Sequence, residues 1–538
     1  MTSLALAPST LTRPLATRFL QRATFGARPG DVDTLIDVGI DAWIDQQMAM
    51  PVGETHHQRR VGGTRFASSI WQSYLSGPDQ LRSRVAYALS QIFVVSDVEL
   101  SDRDVAVFAD VLDAHCFGDY RTLLEAISRS AAMGRYLTYD RNRRADERRG
   151  TVPDENYARE ILQLFSIGLW ELHPDGTRRT DGRGAPIPTY DTDDIIGLAR
   201  VFTGFDPPRI DGDNERYALP MISDGLFAER YHEREEKRFL GTTIPRSDTR
   251  TLDESLRIAL DTIAAHPNVG PFLGRQLIQR LVTSNPSPAY VGRIAGVWAN
   301  DGAGQRGNLG AVIRAILTDD EAWPTTPGAS FGKLREPTLR FTTVARALGA
   351  TTTALPWPID SLSDQPTELS QQPFESPSVF NFYRPGYVPP QSVLGDAGLV
   401  SPEMQLANET TAIGWVNYLA RFLRRPPGRI YLRGEPGEYA AQVALDLDEL
   451  IEMIASRTVT IAQARALVDE LAARLCPAGV SSAVRNIAVR VVVDTFDERY
   501  TDGATEEHQV RRRNEVDLDR VAGAATVIAA STDFLWER

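Results

Sequence analysis

The chain has 538 residues, of which 42% are hydrophobic and 24% charged, and its formal net charge is −13 at pH 7. That length is enough for one large core or two to three ordinary ones, with the composition of a soluble globular protein. The acidic balance argues against a nucleic-acid binder, which needs clustered Lys and Arg for phosphate, and no apolar stretch approaches the ~20 residues of a membrane span.

Helical periodicity dominates from Leu15 to Leu348. A first helix runs through Arg18-Phe19-Leu20, and Gly26 follows its end. Pro29 and Asp31 open a second helix, which Gly39 stops, and Asp41 begins a third. Further helices are predicted at 79–95, 102–114, 120–129, 155–169, 192–202, 251–264, 271–281, 289–299, 309–317 and 337–348. Strand patterns are scarce: 237–244 reads as a short hairpin, and 491–493 as strand or buried helix. Between 349 and 402 nine prolines and several aromatics break the period, which predicts a long ordered loop wrapped over the helices. Helical texture returns at 408–423, 438–475, 483–494 and 518–531. The fold class expected is all-α: a helical body over 12–348, a Pro/aromatic-rich belt over 349–402, and a helical C-terminal subregion over 403–538 packing on the body.

Basic runs are interrupted by acids, as Asp146 and Glu147 interrupt 141–149, and read as solvated surface. Cys116 and Cys476 are the only cysteines, too few to organise the chain or decide its compartment. The first eight residues carry no basic region and too short an apolar run for a secretory leader. The chain as written is expected to be cytoplasmic, or extracytoplasmic if a leader was removed or export occurs with a partner.

Several phrases occur in order along nearly the whole chain: Leu20-Gln-Arg-Ala-Thr-Phe-Gly26, Leu81-Arg-Ser-Arg-Val-Ala-Tyr-Ala-Leu-Ser90, Ala131-Ala-Met-Gly-Arg-Tyr-Leu137 and Glu155-Asn-Tyr-Ala-Arg-Glu-Ile-Leu162. They continue with Phe202-Thr-Gly-Phe205, Lys237-Arg-Phe-Leu-Gly241, Lys333-Leu-Arg-Glu-Pro337 and Gln372-Pro-Phe-Glu-Ser-Pro-Ser-Val379. Each is weak alone, but the ordered set resembles the bacterial domain-of-unknown-function 1800 family. The resemblance implies a mostly helical, usually exported product and a partner from the domain-of-unknown-function 1501 family, but no reaction.

The most ordered polar pattern lies in the helix after Pro153. On a wheel at 100° per residue, Asn156, Arg159, Glu160 and Gln163 share a ~100° arc opposite a wide apolar face. The plain account is a solvated stripe supported by Glu155–Arg159 and Asn156–Glu160 pairs, ~0.2–0.5 kcal/mol each. The functional account is a cleft in which Glu160 is acid/base and Arg159 binds anions. Asp140 is the second carboxylate for paired acid/base work, and His232, just before Phe239-Leu-Gly241, is the assisting histidine. Arg335 and Asn381 join Asn156, Arg159 and Gln163 as substrate-binding candidates.

Other patterns read more simply. Asp191–Asp194 lacks the glycine and terminal Glu of a calcium loop, and Thr192 as N-cap accounts for it, so no metal is expected. His115 beside Cys116 points ~100° away from it, which leaves Cys116 a packed thiol. Arg82, Arg84, Arg275 and Arg280 either converge on an anion or satisfy carboxylates and helix C-termini. In the belt, Phe374, Phe380, Asn381, Phe382, Tyr383 and Tyr387 present aromatic faces to a sugar ring, to a partner or to the helices. No Gly-x-Ser-x-Gly elbow, phosphate loop or dinucleotide fingerprint occurs, so no cofactor is assigned. Two functions follow: a hydrolase or lyase acting on a polar or carbohydrate substrate, or a non-catalytic helical partner of an exported protein.

Overall fold

Helices begin where the sequence supplies an acceptor for the first free N–H groups. Ser101, Thr251 and Thr460 each accept from the amide three residues on, at 3.3, 3.2 and 3.2 Å, and the side chains of Asp104, Glu254 and Gln463 accept from the cap amide in return. The computed structural model describes residues 11–61, 64–207, 219–324, 326–352, 355, 357–424, 443–454, 458–495 and 506–538. Among them 24 α-helices stand beside six strands of two or three residues, so the fold is mostly α. No helix among the described residues is long and apolar enough to cross a membrane.

The predicted hairpin forms as Lys237–Phe239 against Thr242–Ile244, with Lys237 opposite Ile244. Its turn residues Leu240 and Gly241 both have positive φ, 48° and 72°, the twist that suits a two-residue hairpin. The segment 491–493 is helical, within Ser482–Asp494. Two further ladders join distant parts of the chain. Lys333–Leu334 pairs with Trp536–Glu537, and Thr351–Thr352 with Val443–Ala444.

Some boundaries differ from the sequence reading. The helix expected over 155–169 stops at Gln163. Beyond it Phe165 N donates to Glu160 O, and the amides of Ile167 and Gly168 both donate to Leu162 O, a widened exit ending at Gly168 with φ +71°. The helix Thr192–Ala199 is capped by Asp191 rather than Thr192, because Asp191 Oδ1 accepts from Asp193 N at 2.9 Å and Asp194 N at 3.1 Å.

One contiguous apolar cluster runs from Leu11 to Phe534 and takes in Phe19, Trp71, Tyr157, Trp298 and Tyr418. The belt enters it through Trp357, Ile359, Leu362, Leu369 and Phe374. Burying side chains of this size contributes about 1.5–3 kcal/mol each. Polar clips set their orientation: Trp357 Nε1 donates to Ser76 Oγ at 2.9 Å, and Trp71 Nε1 to Asp360 O at 3.1 Å.

Candidate functional site

Helix Val269–Leu281 is the spine of the site, and both its ends are fixed by side chains from elsewhere. At its start the buried Asn268 donates to Ile167 O and Trp170 O at 2.9 and 2.8 Å and accepts from Leu172 N at 2.9 Å. One amide thereby holds the chain leaving helix Asn156–Gln163 against the spine. At its end the orphan carbonyls of Gln279 and Arg280 accept from Lys333 Nζ at 3.1 and 2.8 Å, and Arg280 O also from Arg84 Nη2 at 2.7 Å. Cations at a helix C-terminus satisfy both the free carbonyls and the macrodipole.

The belt closes the other side. Gln279 Nε2 donates to Pro385 O at 3.2 Å, while Asn285 and Val400 exchange hydrogen bonds of 2.9 and 3.0 Å. Between spine, belt and the loop following Gln163 lies a cavity of about 970 Å³. Its walls carry the aromatic side chains of Trp170, Phe272, Phe380 and Tyr383 and the amides of Gln91, Gln163, Gln276 and Gln279. Its charged lining is Arg178, Arg275, Arg280 and Arg384 against Asp175. Gly168 belongs to the wall, where a Cβ would stand 2.6 Å from the Phe272 ring, so only glycine permits this approach.

Behind the wall sits a buried carboxylate. Glu336 Oε2 accepts from Tyr87 Oη at 2.9 Å, Gln91 Nε2 at 2.8 Å, Gln371 Nε2 at 2.7 Å and Tyr383 Oη at 2.9 Å. Burial, then the negative charges of Glu336 and Glu403, keep the Tyr383 phenol protonated far above its usual range. Glu403 pairs with Lys333 at 3.0 Å, both fully buried, and burial raises its carboxyl above the usual range against the pull of Lys333. Arg280 donates to Gln276 O and Gln91 O at 3.2 and 2.9 Å. Its Nε and the Oε1 of Gln91 are buried without a partner, although the two side chains are only 4% and 5% exposed and both line the cavity.

The polar stripe of helix Asn156–Gln163 divides among three surroundings. Asn156 and Arg159 are exposed, with Arg159 paired to Glu155 at 3.3 Å as expected. Glu160 is buried beside Tyr190, its Oε2 unpartnered, and burial raises its pKa against the opposing charge of Arg159. The Tyr190 hydroxyl is also buried and unpartnered, pushed up to about 12 by burial and then by Glu160. Gln163 lines the cavity.

Asp140 is half-buried by Gly134, its amide donating to Gly134 O at 3.0 Å. His232 is buried, with Nδ1 2.8 Å from Thr203 O and Nε2 3.0 Å from Ser255 Oγ. Arg335 donates to Phe534 O at 2.8 Å and Gln21 Oε1 at 3.1 Å and stacks on the Phe534 ring. Asn381 is buried at φ +60°, with an unpartnered Nδ2. Of these sequence-chosen residues, Gln163 is the one in the cavity lining.

Among the four arginines, Arg84 and Arg280 bond helix-end carbonyls, and Arg82 does the same for Asp113 O and Met50 O at 2.9 and 2.7 Å. Burial pushes the Cys116 thiol up. Glu336 escaped the sequence reading because Glu before Pro337 looked like a helix start, which it also is. The signal was the Lys333-Leu-Arg-Glu-Pro337 phrase, in which Lys333 and Glu336 both serve this site.

Beyond its geometry, the chain matches, over residues 18–536, the model of a family described as "Protein of unknown function (DUF1800)". No curated protein and no solved structure matches it.

Proposed function

The chain belongs to the DUF1800 family of proteins of unknown function, and on that premise we propose that it is a hydrolase or lyase holding a carbohydrate in this cavity. The observation that carries the reading is the lining itself, which sets the amides of Gln91, Gln163, Gln276 and Gln279 beside the rings of Trp170, Phe272 and Phe380. A sugar hydroxyl, donor and acceptor at once, pairs with either end of a side-chain amide. The four glutamine amides offer such pairings, and Phe272 and Phe380 offer faces to a ring.

Glu160, Asp140 and His232 lie outside the lining, and the proton transfer falls instead to Tyr383, which belongs to it. The Tyr383 hydroxyl donates to Glu336, so its oxygen takes up a proton from substrate or water as its own proton passes to Glu336. The volume favours a substrate over a protein partner, since ~300–1,000 Å³ is the range of small-molecule sites.

The test is calorimetric titration with a panel of oligosaccharides. It is coupled to assays for new reducing ends, which report hydrolysis, and for ultraviolet absorbance of an unsaturated product, which reports elimination. Gln91→Leu and Tyr383→Phe are each expected to weaken binding about tenfold. Binding unchanged in both variants would remove the cavity as the site.

A further inference from the structure

We infer that the ligand of this cavity is an acidic saccharide, whose carboxylate or ester sulfate is gripped by Arg178 and Arg275. This deepens the reading above and rests on it.

Four guanidinium groups line the cavity against one carboxylate, in a protein whose net charge is −13. Local positive charge on an acidic chain is a feature of the site and not of the general composition. Elsewhere Arg293 meets Asp319 at 2.7 Å, and Arg121 meets Asp261 at 2.8 Å. Arg178, Arg275 and Arg384 make no ion pair among the described residues. The single acid of the lining, Asp175, makes no ion pair with them; its Oδ1 accepts from Thr177 N and Oγ1 at 3.0 and 2.6 Å.

Arg178 and Arg275 also come from different elements, the loop after Gln163 and the spine helix, so they approach the cavity from two walls. Burial, then the charge of Arg178, lowers the pKa of Arg275. Two like charges set together without a counter-ion are relieved by an anion, and a guanidinium matches the two oxygens of a carboxylate or sulfate in a fork. Arg384, stacked on Phe380 at 4.6 Å, adds charge beside the ring-binding face.

The test compares three trisaccharides by titration calorimetry on the full chain: galactotriose, trigalacturonate and a sulfated galactotriose. The acidic sugars are expected to bind at least about tenfold tighter than the neutral one. The margin should shrink in ~0.5 M salt and in Arg178→Ala and Arg275→Ala, while galactotriose binding stays the same. Which acidic sugar binds tighter identifies the anionic group. Equal affinity for all three sugars, or an undiminished acidic preference in both variants, overturns the inference while leaving the cavity reading intact. Binding of none of the three overturns both. Neither arginine makes an ion pair, so both variants are expected to fold, as unchanged melting temperatures would verify.

Discussion

His232 uses both ring nitrogens inside the protein, against Thr203 and Ser255, and burial followed by the charge of Lys237 lowers its pKa to about 4. Glu233 opposes that shift and Arg234 adds to it. The folded value therefore lies below the ~6.5 of an unfolded chain, which takes up the proton first. Its contribution is complete above pH ~6.5 and is lost as pH falls through about 4, an effect of about 3 kcal/mol at most. Urea midpoints for the native chain and His232→Asn should thus converge between pH ~7 and ~4.5; parallel pH profiles would show that His232 is not the titrating group. Glu336 shows the opposite use of burial, an acceptor surrounded by four donors and one residue away from direct contact with the cavity.

At the scale of elements, the exit of helix Asn156–Gln163 determines the cavity wall. The wheel placed four polar residues on one arc, and the fold gave Glu160 to the interior, Gln163 to the cavity, and Asn156 and Arg159 to solvent. Gly168 ends that exit in a left-handed conformation with the Phe272 ring against it. Gly168→Ala should cost about 2–3 kcal/mol, combining left-handed strain with displacement of the ring. Guanidinium denaturation and saccharide titration would measure this, and the ring shift should weaken binding as well. Stability within ~0.5 kcal/mol of the native chain would show that the wall yields instead.

Across the whole molecule, Glu537 joins the two ends of the described chain. Its carboxylate lies 3.6 Å from Arg22 Nε and 4.0 Å from Arg335 Nε, and all three side chains are buried. Arg22 is lowered to about 10 by burial, with Glu537 the largest opposing influence. Glu537→Gln leaves two buried guanidiniums without their anion, so a loss of about 3–5 kcal/mol is expected in denaturant unfolding. The Lys333–Leu334 ladder runs through the same point and leads directly into Glu336, so saccharide affinity should fall with stability. A change below ~1 kcal/mol would mean that solvent, not Glu537, balances these arginines.

The sequence by itself determined the helical class, most helix positions and the 237–244 hairpin. Those features depend on side-chain period, capping groups and prolines within a few residues of one another. It also pointed to the phrase containing Lys333 and Glu336, and to the aromatic belt, without saying what either touches. Tertiary structure alone decided the site. Glu336 meets Gln91 across 245 positions and Tyr87 across 249, while Tyr383 reaches it across 47. A helical wheel reports which residues share a face and cannot report what that face meets. Burial of Glu160, exposure of Arg159 and the opening of Gln163 onto the cavity were therefore settled by packing between elements far apart in the chain.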